Sequence, residues 1–149
     1  TKVIAKDTVN INQEDNLSQI KNVKENIIKS KEPLHNTIVL NGLNNALRYR
    51  IFWSIFDKEF NQKYKGIYMY STCDKLTLDK VKSKKLVIVE NIELLIKNET
   101  LQNKMKELLK ICFEQKIQVI LCSDRDIKSL EINELIKSKM QYGLILYLK

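Results

Sequence analysis

Four points of the chain carry residues whose type and spacing suggest chemistry: Gly42-Leu43-Asn44-Asn45-Ala46-Leu47-Arg48-Tyr49, Glu90-Asn91, Ser123-Asp124-Arg125, and the single histidine, His35. A loop built to hold the phosphates of a nucleotide reads GxxxxGK[ST]. Its glycines let backbone N–H groups wrap the phosphates, its lysine reaches the outer ones, and its hydroxyl holds Mg²⁺. The first segment has the length and the leading Gly42, but Leu47 replaces the second glycine, Arg48 the lysine and Tyr49 the hydroxyl residue. A Cβ at Leu47 is expected to obstruct the approach of the loop to a phosphate, and Tyr49 to carry its oxygen too far out for a metal. At Glu90-Asn91 a nucleotide hydrolase needs one carboxylate for Mg²⁺ and a second to orient water, because phosphoryl transfer is mostly positioning and charge neutralisation. Glu90 can still meet a hydrated metal, whereas Asn91 cannot accept a proton; the plainer reading makes both strand-end polar residues in hydrogen bonds.

Ser123-Asp124-Arg125 has the same two readings, a ligand-facing polar group or simply a turn and helix cap. His35 stands beside Leu34 with no GxSxG elbow and no cysteine arranged to be activated, which makes it a packing residue rather than a base. Cys73, Cys112 and Cys122 are odd in number and widely spaced, with no neighbouring His or Cys, so buried reduced thiols are expected in place of a metal site or a disulfide. The expectation is therefore of no catalytic residue, no metal and no cofactor.

These segments need elements to position them, and the apolar periodicity supplies an alternating series. Leu17, Ile20, Val23 and Ile27 recur at helical steps, and Lys31-Glu32-Pro33 closes that helix because proline disfavours helical geometry in the residue before it. A strand Thr37–Asn41, a turn Gly42–Asn45 with an asparagine suited to cap, and a helix Ala46–Phe60 follow. The stripe of that helix holds Leu47, Ile51 and Ile55 with Phe52, Phe56 and Phe60. Trp53, off the stripe, fits a core or a partner surface equally. Strands are expected at Ile67–Ser71, Leu86–Val89, Ile117–Cys122 and Gly143–Leu148, with helices at Glu99–Glu114 and Glu131–Met140 between them. Leu86-Val87-Ile88-Val89 shows no alternation, as when both faces of a sheet are covered. This order predicts a single three-layer α/β domain with a five-stranded parallel sheet and right-handed crossovers, residues 15–149, after a loose segment 1–14.

The 149 residues suffice for one core. No apolar run approaches the ~20 residues that span a bilayer, and TKVIAKDTVN has no apolar targeting region, which points to a soluble cytoplasmic protein. The net charge of +8 suggests nucleic acid, but it is carried by 23 lysines against three arginines and spread along the chain. Only Lys80, Lys82, Lys84 and Lys85 cluster, as a solvated loop face or a weak contact to DNA or an acidic partner. DNA binding is expected to be weak or indirect.

Three segments in order, Val89-Glu90-Asn91-Ile92-Glu93-Leu94-Leu95, Leu121-Cys122-Ser123-Asp124-Arg125 and Ile136-Lys137-Ser138-Lys139-Met140-Gln141-Tyr142-Gly143-Leu144, resemble the Walker B, sensor 1 and box VII regions of the DnaA/Hda branch of AAA+ proteins. Their spacing also fits, and the resemblance runs from roughly Asp15 to Lys149. Asn91-Ile92-Glu93 and the short link between the second and third strands are more similar to Hda, the DnaA-related regulator, than to DnaA. The resemblance makes Gly42, Leu47, Arg48 and Tyr49 altered Walker A positions, Glu90 and Asn91 an altered Walker B, and Ser123 and Asp124 the sensor 1 region. It makes Lys139 the arginine-finger position, with charge but no bidentate fork. The family's clamp motif, a glutamine followed by apolar residues, has no counterpart, since Gln13 precedes Glu14-Asp15. The helical lid with its sensor 2 arginine, and a helix-turn-helix DNA-binding domain, are expected to be absent.

The resemblance implies a non-catalytic AAA+ domain that regulates or binds a replication protein, above all a DnaA-type initiator, through Lys137 and Lys139, with no membrane. The alternatives are a scaffold similar to the clamp-loader delta subunit, a divergent P-loop nucleotide-binding enzyme, and a remnant whose partner is gone.

Overall fold

The computed structural model of the chain describes residues 13–29, 32–55, 57, 58, 62 and 66–148. Five strands, β1 (Thr37–Asn41), β2 (Tyr68–Thr72), β3 (Leu86–Glu90), β4 (Gln118–Ser123) and β5 (Leu144–Tyr147), form one sheet in the order β2-β3-β4-β1-β5. Every pairing is parallel, in the registers Ile38↔Ile120, Ile38↔Leu144, Ile88↔Ile120 and Tyr70↔Ile88. The described helices are α1 (Gln13–Lys29), α2 (Asn45–Ile55), α3 (Glu99–Gln115) and α4 (Glu134–Gln141).

Alternation along the strands divides the interior into two cores, because successive side chains of a strand point to opposite faces. Ile38, Leu40, Leu86, Ile88, Ile120, Cys122, Leu144 and Leu146 turn towards Ile20 and Val23 of α1 and Leu47 and Ile51 of α2. Val39, Val87, Val89, Val119, Leu121 and Ile145 turn towards Met105, Leu108, Leu109 and Cys112 of α3 and Ile136 and Met140 of α4. The three-layer α/β fold expected from the sequence is the fold observed.

Element ends moved where a capping side chain decided them. α4 starts at Glu134, three residues after the expected Glu131, because the Asn133 side chain accepts from the Leu135 N–H. Asn98 caps α3 in the same way through the Leu101 N–H. The link between β2 and β3 is two 3-10 segments, Cys73–Lys75 and Leu78–Ser83, which bury Cys73, Leu76 and Val81. Of the expected loose segment 1–14, Gln13 and Glu14 belong to α1, and the remainder lies outside the described residues, as do Phe56, Phe60 and the side chains of Leu17, Ile27, Trp53 and Ile55.

Candidate functional site

In a parallel sheet, ligands meet the protein beyond the carboxyl ends of the strands. Here that edge carries Gly42 after β1, Glu90 and Asn91 at the end of β3, and Ser123 to Asp126 after β4. The structure thus brings the Walker A, Walker B and sensor 1 positions together, and engages Arg48, Glu90 and Ser123 among them with partners from within.

The loop after β1 is short, since α2 already begins at Asn45. Asn44 precedes it and consumes two of the amides a phosphate would seek: its side-chain oxygen accepts from the Leu47 N–H at 2.9 Å and its backbone carbonyl from the Arg48 N–H at 3.0 Å. Leu47 is buried in the core with Ile51, so its Cβ anchors α2 to the sheet rather than blocking the mouth of a loop. Tyr49 is 65% exposed to solvent. Gly42 has a packing role as well. Its φ of 132° is one that L side chains rarely adopt, its N–H donates to the Ser123 carbonyl at 2.8 Å, and an added Cβ would stand 2.4 Å from the Leu148 carbonyl oxygen.

Arg48, at the lysine position, does not face open space. Its Nε lies 3.2 Å from Glu90 Oε1, and its Nη2 donates to Asn45 Oδ1 at 2.7 Å. The other carboxylate oxygen of Glu90 accepts from the Tyr70 hydroxyl. The Tyr70 ring in turn meets Phe52 of α2 edge to face, with centroids 5.7 Å apart. Burial first, and then the hydrogen bond to Glu90 and its charge, push the Tyr70 phenol well above its ordinary range, so it stays a donor. The Arg48 and Glu90 side chains are 24% and 17% exposed. Arg48, Glu90, Tyr70 and Phe52 therefore brace α2, β2 and β3 against one another.

Asn91, beside Glu90, is exposed and left-handed at φ 62°, a conformation asparagine tolerates better than most residues. It opens the 3-10 turn Ile92–Leu95, its carbonyl accepting from the Leu94 N–H. Ser123 is buried and closes a turn on itself: its hydroxyl donates to the Arg125 carbonyl at 2.8 Å and accepts from the Arg125 N–H at 3.1 Å. Asp124 is exposed, its N–H 3.4 Å from Glu93 Oε1. The capping residue of this stretch is Asp126, which accepts from the Lys128 N–H at 3.0 Å and from the buried Asn41 side chain at 3.3 Å. Among the described residues no group of three or more His, Cys, Asp or Glu is arranged to hold a metal.

An ATP–Mg²⁺ group does not fit this edge as arranged. The Leu47 and Arg48 amides already have acceptors, the Arg48 cation is paired, both Glu90 oxygens are engaged, and no carboxylate stands at Asn91.

The remaining candidates lie elsewhere. Lys137 and Lys139 both belong to α4 but diverge, as residues two apart on a helix must. Lys137 donates to the Lys128 carbonyl at 3.2 Å and lies 3.7 Å from Glu134. Lys139 is exposed, has no partner among the described residues, and lines a cleft at the opposite end of the sheet, beside Thr37 at the start of β1. His35, half-buried before β1, is held below its ordinary pKa by burial. The three cysteines are buried and free, and burial raises all of them: Cys73 to about 11, Cys112 to about 12, and Cys122 further still. Lys80, Lys82 and Lys85 are exposed, while Lys84 donates to the Gly66 carbonyl at 2.9 Å. The described residues include no helix long and apolar enough to cross a membrane.

Sequence reasoning missed Tyr70 and Asn41. The parity of parallel strands held the signal for Tyr70: it pairs with Ile88, which puts it on the same face as Glu90, one diagonal step away.

The family model for the Bacterial DnaA ATPase domain matches residues 31–147. No curated protein matches the chain significantly. Among solved structures, domain III of the Thermotoga maritima replication initiation protein DnaA superposes with a TM-score of 0.74 at 15% identity, over 97% of this chain and 65% of that one. AMPPCP-bound DnaA from Aquifex aeolicus gives 0.72 at 18% identity, over 95% and 48%. The Bacillus subtilis clamp loader delta protein gives 0.51 at 15% identity, over 87% and 42%. The chain thus spans from about two thirds to less than half of these relatives, and at such identities the likeness speaks for the fold. With the ordered motif positions gathered at one sheet edge and the family model covering most of the sequence, the chain belongs to the bacterial DnaA ATPase-domain family, in the DnaA/Hda branch of AAA+ proteins.

Proposed function

We propose that this chain is a non-catalytic DnaA-like AAA+ domain that serves DNA replication as an interaction or regulatory protein, holding no nucleotide of its own. The observation that carries this reading is the Arg48–Glu90–Tyr70 network, which supplies from within the countercharges that a triphosphate and its metal would otherwise provide. Calorimetry with ATP and Mg²⁺ tests it. No binding heat is expected, and a micromolar or tighter dissociation constant refutes the proposal.

The partner proposed is a DnaA-type initiator in its ATP-bound form, met through the box VII end of α4. Lys139 supports this choice as an exposed cation with no partner among the described residues, standing at the finger position, able to approach a neighbour's phosphates without a nucleotide pocket in its own chain. Lys137 fits less well, being held by its own chain. Titration of the wild type and Lys139→Ala against the ATP-bound initiator checks the assignment; equal affinities remove it. A DnaA-branch role, rather than the delta-like scaffold, is supported by the family-model match over residues 31–147, and its Hda-like form by Asn91-Ile92-Glu93 and the short link between β2 and β3. Duplex DNA binding is expected to be weak and to vanish at physiological salt.

A further inference from the structure

Beside Lys139 lies a cleft of about 310 Å³, within the size range of small binding pockets. It opens where the last turn of α3 and the end of α4 meet the amino ends of β1 and β4. Its walls are apolar, formed by Leu109, Phe113, Val119 and Tyr142, and Lys110 and Lys139 stand on its rim with Glu114. Phe113 leaves 70% of its surface in water. Lys110, three residues earlier on α3, shares its side of the helix, and neither Lys110 nor Lys139 has a hydrogen-bond or ion-pair partner among the described residues.

We infer that this cleft takes a segment of a partner protein in which a bulky apolar side chain is followed or preceded by an acidic residue. The apolar side chain covers Phe113 and fills the space against Leu109 and Tyr142, while the carboxylate meets the two lysines, which have no ion-pair partner among the described residues. Lys110 and Lys139 repel a basic segment, and Glu114 on the same rim disfavours a run of acidic residues over a single one. The inference shares Lys139 with the reading above and so rests on it in part, but its anchor is Phe113.

The test is selection of random dodecapeptides displayed on phage against the whole chain, with Phe113→Asp and Lys110→Glu as counter-selection. Enriched peptides are expected to place Phe, Trp, Tyr or Leu next to Asp or Glu. A synthetic winner should bind the wild type at least ~10-fold more tightly than either variant, less tightly as salt rises. Enrichment of basic or uncharged peptides overturns the inference, as does equal binding to the variants, or a Phe113-dependent dimer in sedimentation equilibrium. Should Phe113→Asp fail to fold, Lys110→Glu and Phe113→Ser carry the same comparison. The initiator titration uses Lys139→Ala alone, so loss of that binding with peptide binding intact, or the reverse, separates the two proposals.

Discussion

The two ends of the sheet treat their polar groups in opposite ways. At the carboxyl end Arg48, Glu90, Tyr70, Asn44, Ser123 and Asp126 each find partners in their own chain. At the amino end Lys110 and Lys139 flank an apolar cleft without partners among the described residues, and Phe113 stands largely in water. In a protein that works on a small ligand the reverse is usual, because side chains kept for a ligand are left unpaired until it arrives. The comparison teaches that position in a fold family says where to look for a site, while the state of its hydrogen bonds says which groups there are already engaged.

Substitutions at the two ends should therefore differ in kind. Gly42→Ala is expected to give the largest loss of stability, about 2–3 kcal/mol, from strained φ and the contact with the Leu148 carbonyl. Urea denaturation measures it, and a loss below about 0.5 kcal/mol would show that the backbone at Leu148, just after β5, yields easily. Glu90→Ala leaves the Arg48 guanidinium and the Tyr70 hydroxyl without their shared acceptor in a half-buried setting, at a cost of about 1–2 kcal/mol. A double-mutant cycle of Glu90→Gln with Arg48→Met should return a coupling near 1 kcal/mol; additive effects would mean that the brace is geometric only. Asn44→Ala removes the α2 cap and is expected to cost about 1 kcal/mol. Lys139→Ala, at the other end, should change stability by less than about 0.5 kcal/mol, while its effect appears in binding alone.

Much of the fold was legible in the sequence because the periods of its apolar residues are unambiguous. Leu86-Val87-Ile88-Val89 could only be a strand covered on both faces, and the alternating order of strands and helices allowed few topologies. The helix starts were less legible, since α4 waits for Asn133, a cap that looks no different in sequence from the other asparagines of this chain. At the site, the substitutions at Leu47, Arg48, Tyr49 and Asn91 were visible, but their physical meaning was not. Leu47 proved to be core, Asn91 a left-handed turn residue, and Arg48 the partner of Glu90 across forty-two positions of sequence. Pairing of that kind depends on strand order, and no local pattern encodes it. Lys137 and Lys139 were grouped by nearness in sequence, which the turn of the helix undoes.

Because Glu90 already occupies the Arg48 guanidinium, a phosphate arriving there enters as a competitor, and its apparent affinity falls by the factor that favours the internal pair over the open one. A pair favoured by about 1 kcal/mol reduces that affinity roughly fivefold. Proteins whose stability is coupled to a ligand gain RT ln(1 + [L]/Kd) from it, so their persistence follows the ligand's concentration. An internal countercharge shrinks that dependence, turning what would be a variable set by the supply of nucleotide into a constant written into the chain.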